Sequence, residues 1–549
     1  MTFVDDEIFG LLEAEGIRPA PTASDEEFLR RVSLDLAGEI PDPDVVRAFL
    51  ADASTDKRDR AVESLLHSEA FVDRWTMWLG DLVQNVPIAD NIRLWEPARN
   101  AYYAYIHDAI QAGTPYHIVV RDLLTGQGDN FYRGTPNYAV RQIRQNGPPQ
   151  DTFDSLAAHS AERFLGLQLG CLSCHNGAGH LDGSDLYLAT KTREQFWEMA
   201  AFFSRVRIAG ARDGAMFKFR VFDDTKGGYR LDTTSGNKTP RQQPIGKPDV
   251  VLPRFLLSHE EPAPYESYRG AYARLLTSHP QFARATVNRI WKELFSLGLV
   301  EPVDALDLAR LDPDNPPPAP WRMQSIHARL LDRLALDFEM NGYDLRGLLR
   351  LLVRSAAYQL SSRYPGATWS DAFTPFFARH YPRRLWAEEA LDAIFKATGV
   401  PPEASEFRVI GMDSAVITRA MRLPDPLQPD TYGRSPYRLF LDTFGRGNRG
   451  SAVRSSDGSL LQALDLLNDR IVTERVKRST RGSAVQALLD ASTDPGAIVE
   501  KLYLRTLSRL PSAEERAEAI RYVTAGDLTR RVEDLQFALL NHVEFLFSY

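Results

Sequence analysis

The chain has 549 residues, 44% apolar, 25% charged and 10% aromatic, which suits three or four domains at ~150 residues each and excludes wholesale disorder. A formal net charge of −8 gives no global footprint for nucleic acid, and no run approaches the ~18 apolar residues that would span a bilayer. Only two cysteines occur, Cys171 and Cys174; two cannot staple so long a chain, so the fold must stand on packing.

The N-terminus, MTFVDDEIFGLLEAEG, is acidic, whereas a secretory signal needs a basic start and an unbroken apolar segment. Residues Asp25 to Leu36 put Phe28, Leu29, Val32 and Leu36 on one helical face. Asp42 and Pro43 mark the N-cap and first position of the next helix. Trp75, Trp78, Trp95 and the run AYYAYIHDAI fit bulky helix–helix packing better than a stacking platform for sugars or bases. MFKFRVF (216–222) then alternates, and DDTKGG followed by YRLDT completes a β-hairpin pattern. The polar loop SGNKTPRQQPIGKPD closes this insertion.

Helical patterning resumes at Tyr265, with an amphipathic helix from Phe282 to Leu297. DLARLDPDNPPPAP reads as a proline-rich linker or surface loop. Arg383, Arg384, Glu388, Glu389 and Asp392 read as the wet face of an amphipathic helix, and His542 as a core residue of the terminal apolar run. Ser512 and Glu515 form a capping box. The expected fold is mainly α: a multi-helix N-terminal domain (1–212) that carries both cysteines, a small β-hairpin insertion (213–262) and an α-helical C-terminal domain (263–549).

Residues 171–175 read Cys-Leu-Ser-Cys-His, a C-x-x-C-H run. Two thiols one turn apart reach the two vinyl groups of a haem, and the adjacent imidazole of His175 ligates its iron, so haem c is the expected cofactor. The alternative is zinc, on Cys171, Cys174 and His180 with His159 or Asp182 as fourth ligand. A thioredoxin-like pair would want a βαβ context, and a local disulfide or two idle thiols is the bland reading. For a haem, Met199, His159, Met216 and an open position are all candidates for the sixth ligand, and the sequence does not choose among them. Yet Phe196, Met199 and Phe203 also make an ordinary core stripe. His180 lies five residues after His175, a reach of at most ~17 Å, which suits a contact beside the iron site or to a propionate.

GRGNRG (445–450) has the formal G-x-G-x-x-G spacing, with Asp465 beyond it. The preceding YRLFLDTF could be a strand, but no alternating βα pattern surrounds it, so a glycine-rich loop leading into SLLQALDLLND is expected instead of a nucleotide site. G-x-S-x-G, P-loop and H-E-x-x-H patterns are missing, and no catalytic residue is assigned.

FLGLQLGCLSCH (164–175), EMAAFFSRV (198–206), RRVSLDLAGEIPDP (30–43) and YHIVVRDLLTGQGDN (116–130) resemble the first of the paired planctomycete-type cytochrome-associated domains of unknown function, PSCyt-two followed by PSD-one. The second is matched by HPQFARATVNRIWKELFSLGLVEPVD (279–304), RSAAYQLSSRY (354–364), RRLWAEEALDAIFKATG, SLLQALDLLND, LYLRTLSRLPSAEE and FALLNHVEFLF. The resemblance implies an exported protein, of a family often encoded near secreted sulfatase-like proteins. That setting has suggested polysaccharide breakdown or surface electron transfer, with no activity established. It carries the family's cysteines and histidine onto Cys171, Cys174 and His175. The family's usual Asp-His-Pro after the motif is here Asn176, Gly177 and Ala178, so its second histidine is missing at Gly177.

The expectation is therefore a periplasmic or extracellular monohaem c-type protein, its export signal removed from this sequence. It would act in electron transfer or as a redox-enzyme subunit, with a redox protein or secreted enzyme as partner. A structural or interaction protein with a haem- or zinc-stapled loop, and a metal or haem enzyme with an open coordination site, stand as alternatives.

Overall fold

The computed structural model describes residues 2–549 except 90–91, 234–237, 243–248, 367, 406, 414–416, 430–434, 451 and 456. As expected, the fold is mainly α with small sheets. Among the described residues no helix is long and apolar enough to cross a membrane. Two compact units form, each from separated stretches: Met1–Ala14 with Pro87–Leu352, and Glu15–Val86 with Val353–Tyr549. The contacts thus divide differently from the sequence segments 1–212, 213–262 and 263–549.

In the first unit the Pro149–Leu165 helix packs on the Arg193–Ala201 and Pro280–Phe295 helices. Phe202, Phe203 and Phe255 surround the buried Tyr272, whose hydroxyl meets Ser160 Oγ at 2.7 Å. The strand Met216–Asp223 forms as expected but with a different partner. It pairs with the preceding Val206–Asp213 through a two-residue turn, in the register Asp213↔Met216 to Val206↔Asp223. Gly214, at φ +60°, opens that turn, as the twist of a tight hairpin requires. The downstream YRLDT instead divides: Tyr229–Arg230 pairs with Val250–Val251, and Asp232–Thr233 with Arg241–Gln242. Much of the loop 235–249 lies outside the described residues.

In the second unit the Asp25–Ala37 helix is capped by Ser24 Oγ, which accepts the Glu27 N–H, and ends at Gly38 with φ +65°. It buries Phe28, Leu29, Val32 and Leu36, and also Arg30, Arg31 and Asp35. The Pro43–Ala51 helix starts at Asp42 and the Ala513–Thr524 helix at the Ser512–Glu515 capping box, both as expected.

Two readings are corrected in this unit, and the glycine-rich loop stands as expected. The charges of RRLWAEEALDAIF are not a wet face. Arg384, Glu388, Glu389 and Asp392 are buried, and Arg383 donates to Asp35 at 2.9 Å and Glu389 at 2.7 Å. Arg454 bridges Glu388 and Asp81. Paired guanidinium and carboxylate groups satisfy one another inside the protein, so helical periodicity alone could not tell these charges from solvated ones. His542 is exposed and caps the following turn through Nδ1, which accepts the Glu544 N–H at 3.3 Å. YRLFLDTF is helical, within Pro436–Thr443. Gly445 and Gly447 then turn the chain at positive φ, while Arg446 and Arg449 are buried. Arg449 donates to the Asn85 and Pro424 carbonyls, each at 2.8 Å. The glycine-rich loop is structural.

Candidate functional site

Gly166, at φ +65°, ends the Pro149–Leu165 helix and turns the chain into a short 3-10 helix, Leu169–Ser173. A Cβ there would come within 2.7 Å of the Leu306 side chain, so glycine also permits that close approach. Leu169 and Leu172 are fully buried and anchor the turn, leaving Cys171 exposed and Cys174 half-buried. The Cys174 N–H donates to the Cys171 carbonyl at 3.1 Å. Side chains at i and i+3 eclipse in such a turn, which puts both thiols on one side.

His175 Nδ1 lies 2.8 Å from the Asn176 carbonyl. A carbonyl only accepts, so Nδ1 carries the proton and Nε2 keeps a lone pair for a metal. Asn176 Oδ1 accepts the Arg193 N–H at 2.8 Å, and Arg193 Nε donates to the Ser173 carbonyl at 3.0 Å. The His180 ring stacks on His175, with centroids 3.8 Å apart and planes at 29°. That stacking follows from Gly177, whose carbonyl accepts the N–H groups of His180 at 3.0 Å and Leu181 at 2.8 Å.

Gly177 is also where the resemblance implies a second histidine. A Cβ at this position would lie 1.9 Å from the Leu188 carbonyl oxygen, so the loop admits no side chain there. Leu188 belongs to the short helix Leu186–Ala189, which Asp185 caps. The buried Asp307 grips the same helix, accepting the N–H groups of Leu186 at 2.8 Å and Tyr187 at 3.0 Å.

Cys171 and Cys174 line a cavity of about 580 Å³ whose wall also carries Arg144, Asp151, His159, Glu162 and Lys238. His159 Nδ1 faces Glu162 Oε2 at 3.4 Å, and its Nε2 meets Arg144 Nη2 at 3.2 Å. Burial lowers the pKa of His159, and its contact with Glu162 lowers that carboxyl's in turn. Beneath the cavity Arg241 is buried against Asp151, Asp154 and Tyr229. It pins the insertion to the Pro149–Leu165 helix from a segment that reads as plain polar loop. Glu162, Arg144, Asp151 and Lys238 were not anticipated; the i,i+3 spacing of His159 and Glu162 on one helix was the available signal.

The sequence candidates therefore separate. Cys171, Cys174, His175 and His180 share one loop, and His159 shares the cavity with the cysteines. Met199 is fully buried among Phe196 and Phe203, and its Sδ accepts the Leu256 N–H at 3.1 Å. For a haem, Cys171 and Cys174 are accessible thiols on one side of a turn and line the cavity, whereas His175, with Nε2 left to accept, is not part of its lining. The wall is polar, suiting propionates better than the macrocycle's apolar face. For zinc, no three His, Cys, Asp or Glu side chains converge among the described residues.

Residues 3–208 match PSCyt2, described as a protein of unknown function (DUF1549), and residues 269–523 match PSD1, described as a protein of unknown function (DUF1553). The chain belongs to this PSCyt2–PSD1 pair. No curated protein and no solved structure matches it. Each family segment is shared between the two compact units. The PSCyt2 match supplies 15–86 to one and 87–208 to the other, and the PSD1 match divides after Leu352. Asp307, which holds the helix packed on Gly177, comes from the PSD1 segment.

Proposed function

We propose that the protein is an exported monohaem c-type redox protein, acting in electron transfer or as the redox subunit of a periplasmic or extracellular enzyme. The observation that carries this reading is the C-x-x-C-H turn itself. Cys171 and Cys174 stand on one side of a buried-anchored 3-10 helix at the mouth of a cavity, and His175 presents Nε2. A bound haem would supply a one-electron couple. Cys171 and Cys174 would hold it as thioethers, each thiol adding across one vinyl group so that sulfur bonds one carbon and hydrogen the other, with no net oxidation. Asn176 would fix the tautomer of His175 through the Nδ1–H contact. Arg144 and Lys238, which line the cavity, would be the cations that meet propionates. The exposure of Cys171 keeps the attachment edge near the surface, where a partner can approach.

The test is production of the full chain in a host with the cytochrome c maturation machinery. One haem per chain should survive acid–acetone extraction, and Cys171→Ala/Cys174→Ala should lose it. Colourless wild-type protein from such a host would sink the proposal.

A further inference from the structure

The strand Val206–Asp213 lies at one edge of its sheet, with Met216–Asp223 between it and Gly128–Asp129. Among the described residues no strand pairs with its outer side. Which of its groups face outward follows from Phe219. The Phe219 carbonyl accepts the Asn130 N–H at 2.9 Å, and its own N–H donates to Asn130 Oδ1 at 2.7 Å. Phe219 therefore turns its main chain toward Gly128–Asp129, and the next residue, Arg220, turns toward Ala209. By the alternation of an antiparallel ladder, Arg207, Ala209, Ala211 and Asp213 bond inward, while Val206, Ile208, Gly210 and Arg212 point their N–H and C=O groups out. Val206 is already satisfied: its N–H donates to the Phe203 carbonyl at 3.0 Å, and its carbonyl accepts Arg207 Nη1 at 2.9 Å. Ile208, Gly210 and Arg212 remain. Their edge is exposed from Ala209 to Arg212 and, over the described residues 206–213, has neither a proline nor a bulge to blunt it.

This edge is complementary to itself. Laid antiparallel about Gly210, two copies set Ile208 opposite Arg212, Gly210 opposite Gly210 and Arg212 opposite Ile208, so all the remaining outward groups fall in hydrogen-bonded pairs. The same register sets Arg207 of each copy opposite Asp213 of the other, an attractive cross-strand pair at both ends. Both side chains already have a contact in their own copy, Arg207 with Asp224 at 3.5 Å and Asp213 with Lys218 at 3.0 Å. Both also keep a third or more of their surface exposed, so this pair selects the register more than it adds affinity. A Cβ at Gly210 would lie 2.3 Å from Phe217 Cε1, so that ring covers the glycine, and it is 41% exposed. Two such rings would close over the two-fold axis on one face of the joined sheet and give the contact an apolar centre. A slip of two residues one way brings Arg212 against the engaged Val206, and a slip the other way runs Ile208 onto the turn residue Gly214. Either slip parts Arg207 from Asp213. We propose that the protein pairs with a second copy of itself through Val206–Asp213 in this register, joining two three-stranded sheets edge to edge.

Analytical ultracentrifugation of the full chain should show a reversible monomer–dimer equilibrium. Arg212→Pro removes one outward N–H, which an edge strand tolerates, and the loss occurs twice in the pair. The dimer should weaken about tenfold or more, with the far-ultraviolet circular dichroism unchanged. Disulfide trapping reads the register. Opposed residues of a non-hydrogen-bonded pair lie about 4.5 Å apart between Cα atoms, within the roughly 4.4–6.8 Å that a disulfide spans. Mixed under mild oxidation, Ala209→Cys and Ala211→Cys chains should cross-link to each other. Neither variant alone should do so, nor the wild type with its own Cys171 and Cys174. A wild type that stays monomeric at every concentration, as it would if the edge served an extended peptide of another protein, would overturn the proposal. So would a dimer indifferent to Arg212→Pro, or either cysteine variant cross-linking with itself as readily as with the other.

Discussion

Arg31 Nη1 donates to the Tyr358 carbonyl at 2.6 Å, tying residues 327 positions apart. The same guanidinium reaches the Leu360 carbonyl at 2.9 Å, Glu27 at 2.8 Å and the Tyr549 carbonyl at 3.2 Å. Its neighbour Arg30 donates to the Phe545 carbonyl at 2.7 Å. Both side chains are fully buried. Removing Arg31 would strand Glu27 and several carbonyls in the interior. Arg31→Met is expected to cost about 3–5 kcal/mol, read as a lower urea midpoint. Arg31→Lys should recover only part of it, since an ammonium cannot reproduce the planar fork. An unchanged midpoint for Arg31→Met would refute this account.

The interleaving of segments gives a second expectation. Fragments 1–262 and 263–549 each hold only part of both compact units. Neither should show a cooperative thermal transition by circular dichroism when produced alone. Co-expressed, they should elute together and unfold as one. A lone 263–549 fragment melting like the full chain would count against it.

Gly177 offers a steric test. Gly177→Ala should lower stability by about 1–3 kcal/mol through overpacking against Leu188, and the bulkier Gly177→His by more. Gly183, with nothing within 4 Å of its virtual Cβ, is the control. Gly183→Ala should stay within about 0.5 kcal/mol of wild type. Differential scanning calorimetry of the three variants decides it.

A pH dependence follows from Asp185. Burial above all, with the charge of Asp307 adding, holds its carboxyl up at about 6. The native state therefore binds this proton more tightly than the unfolded chain. Stability contributed by the group falls as pH rises from about 4 to about 6, and the penalty is complete above that. Asp185→Asn keeps an oxygen for the Leu188 N–H and removes the charge. Its Tm should exceed that of the wild type at about pH 8 and converge with it near about pH 4. Equal Tm differences at both pH values would contradict the assignment.

What could be read from the sequence was local. Asp42–Pro43, Ser512–Glu515 and the Phe196–Met199–Phe203 stripe act within a few residues of chain, and each stands in the structure as read. The C-x-x-C-H turn was equally visible. What could not be read depends on distant partners. Glu389 looks like any solvated glutamate until Arg383 and Arg74 are beside it, and Arg241 looks like loop until Asp151 and Asp154 are placed. The hairpin was half visible: Gly214 supplies the positive φ that a two-residue turn needs, yet the later glycines drew the pairing downstream. His159 carried no distinguishing mark except Glu162 one turn on.

The burial of Arg30 and Arg31 also bears on how the chain is made. Several of their acceptors, at residues 544–549, are made some five hundred residues after their helix. At roughly 5–20 residues per second, the wait is on the order of 25–100 s. Until then Arg30 and Arg31 lack part of their native acceptors, and water must supply the remainder. The full set of contacts around these two charges thus closes only once residue 549 is in place.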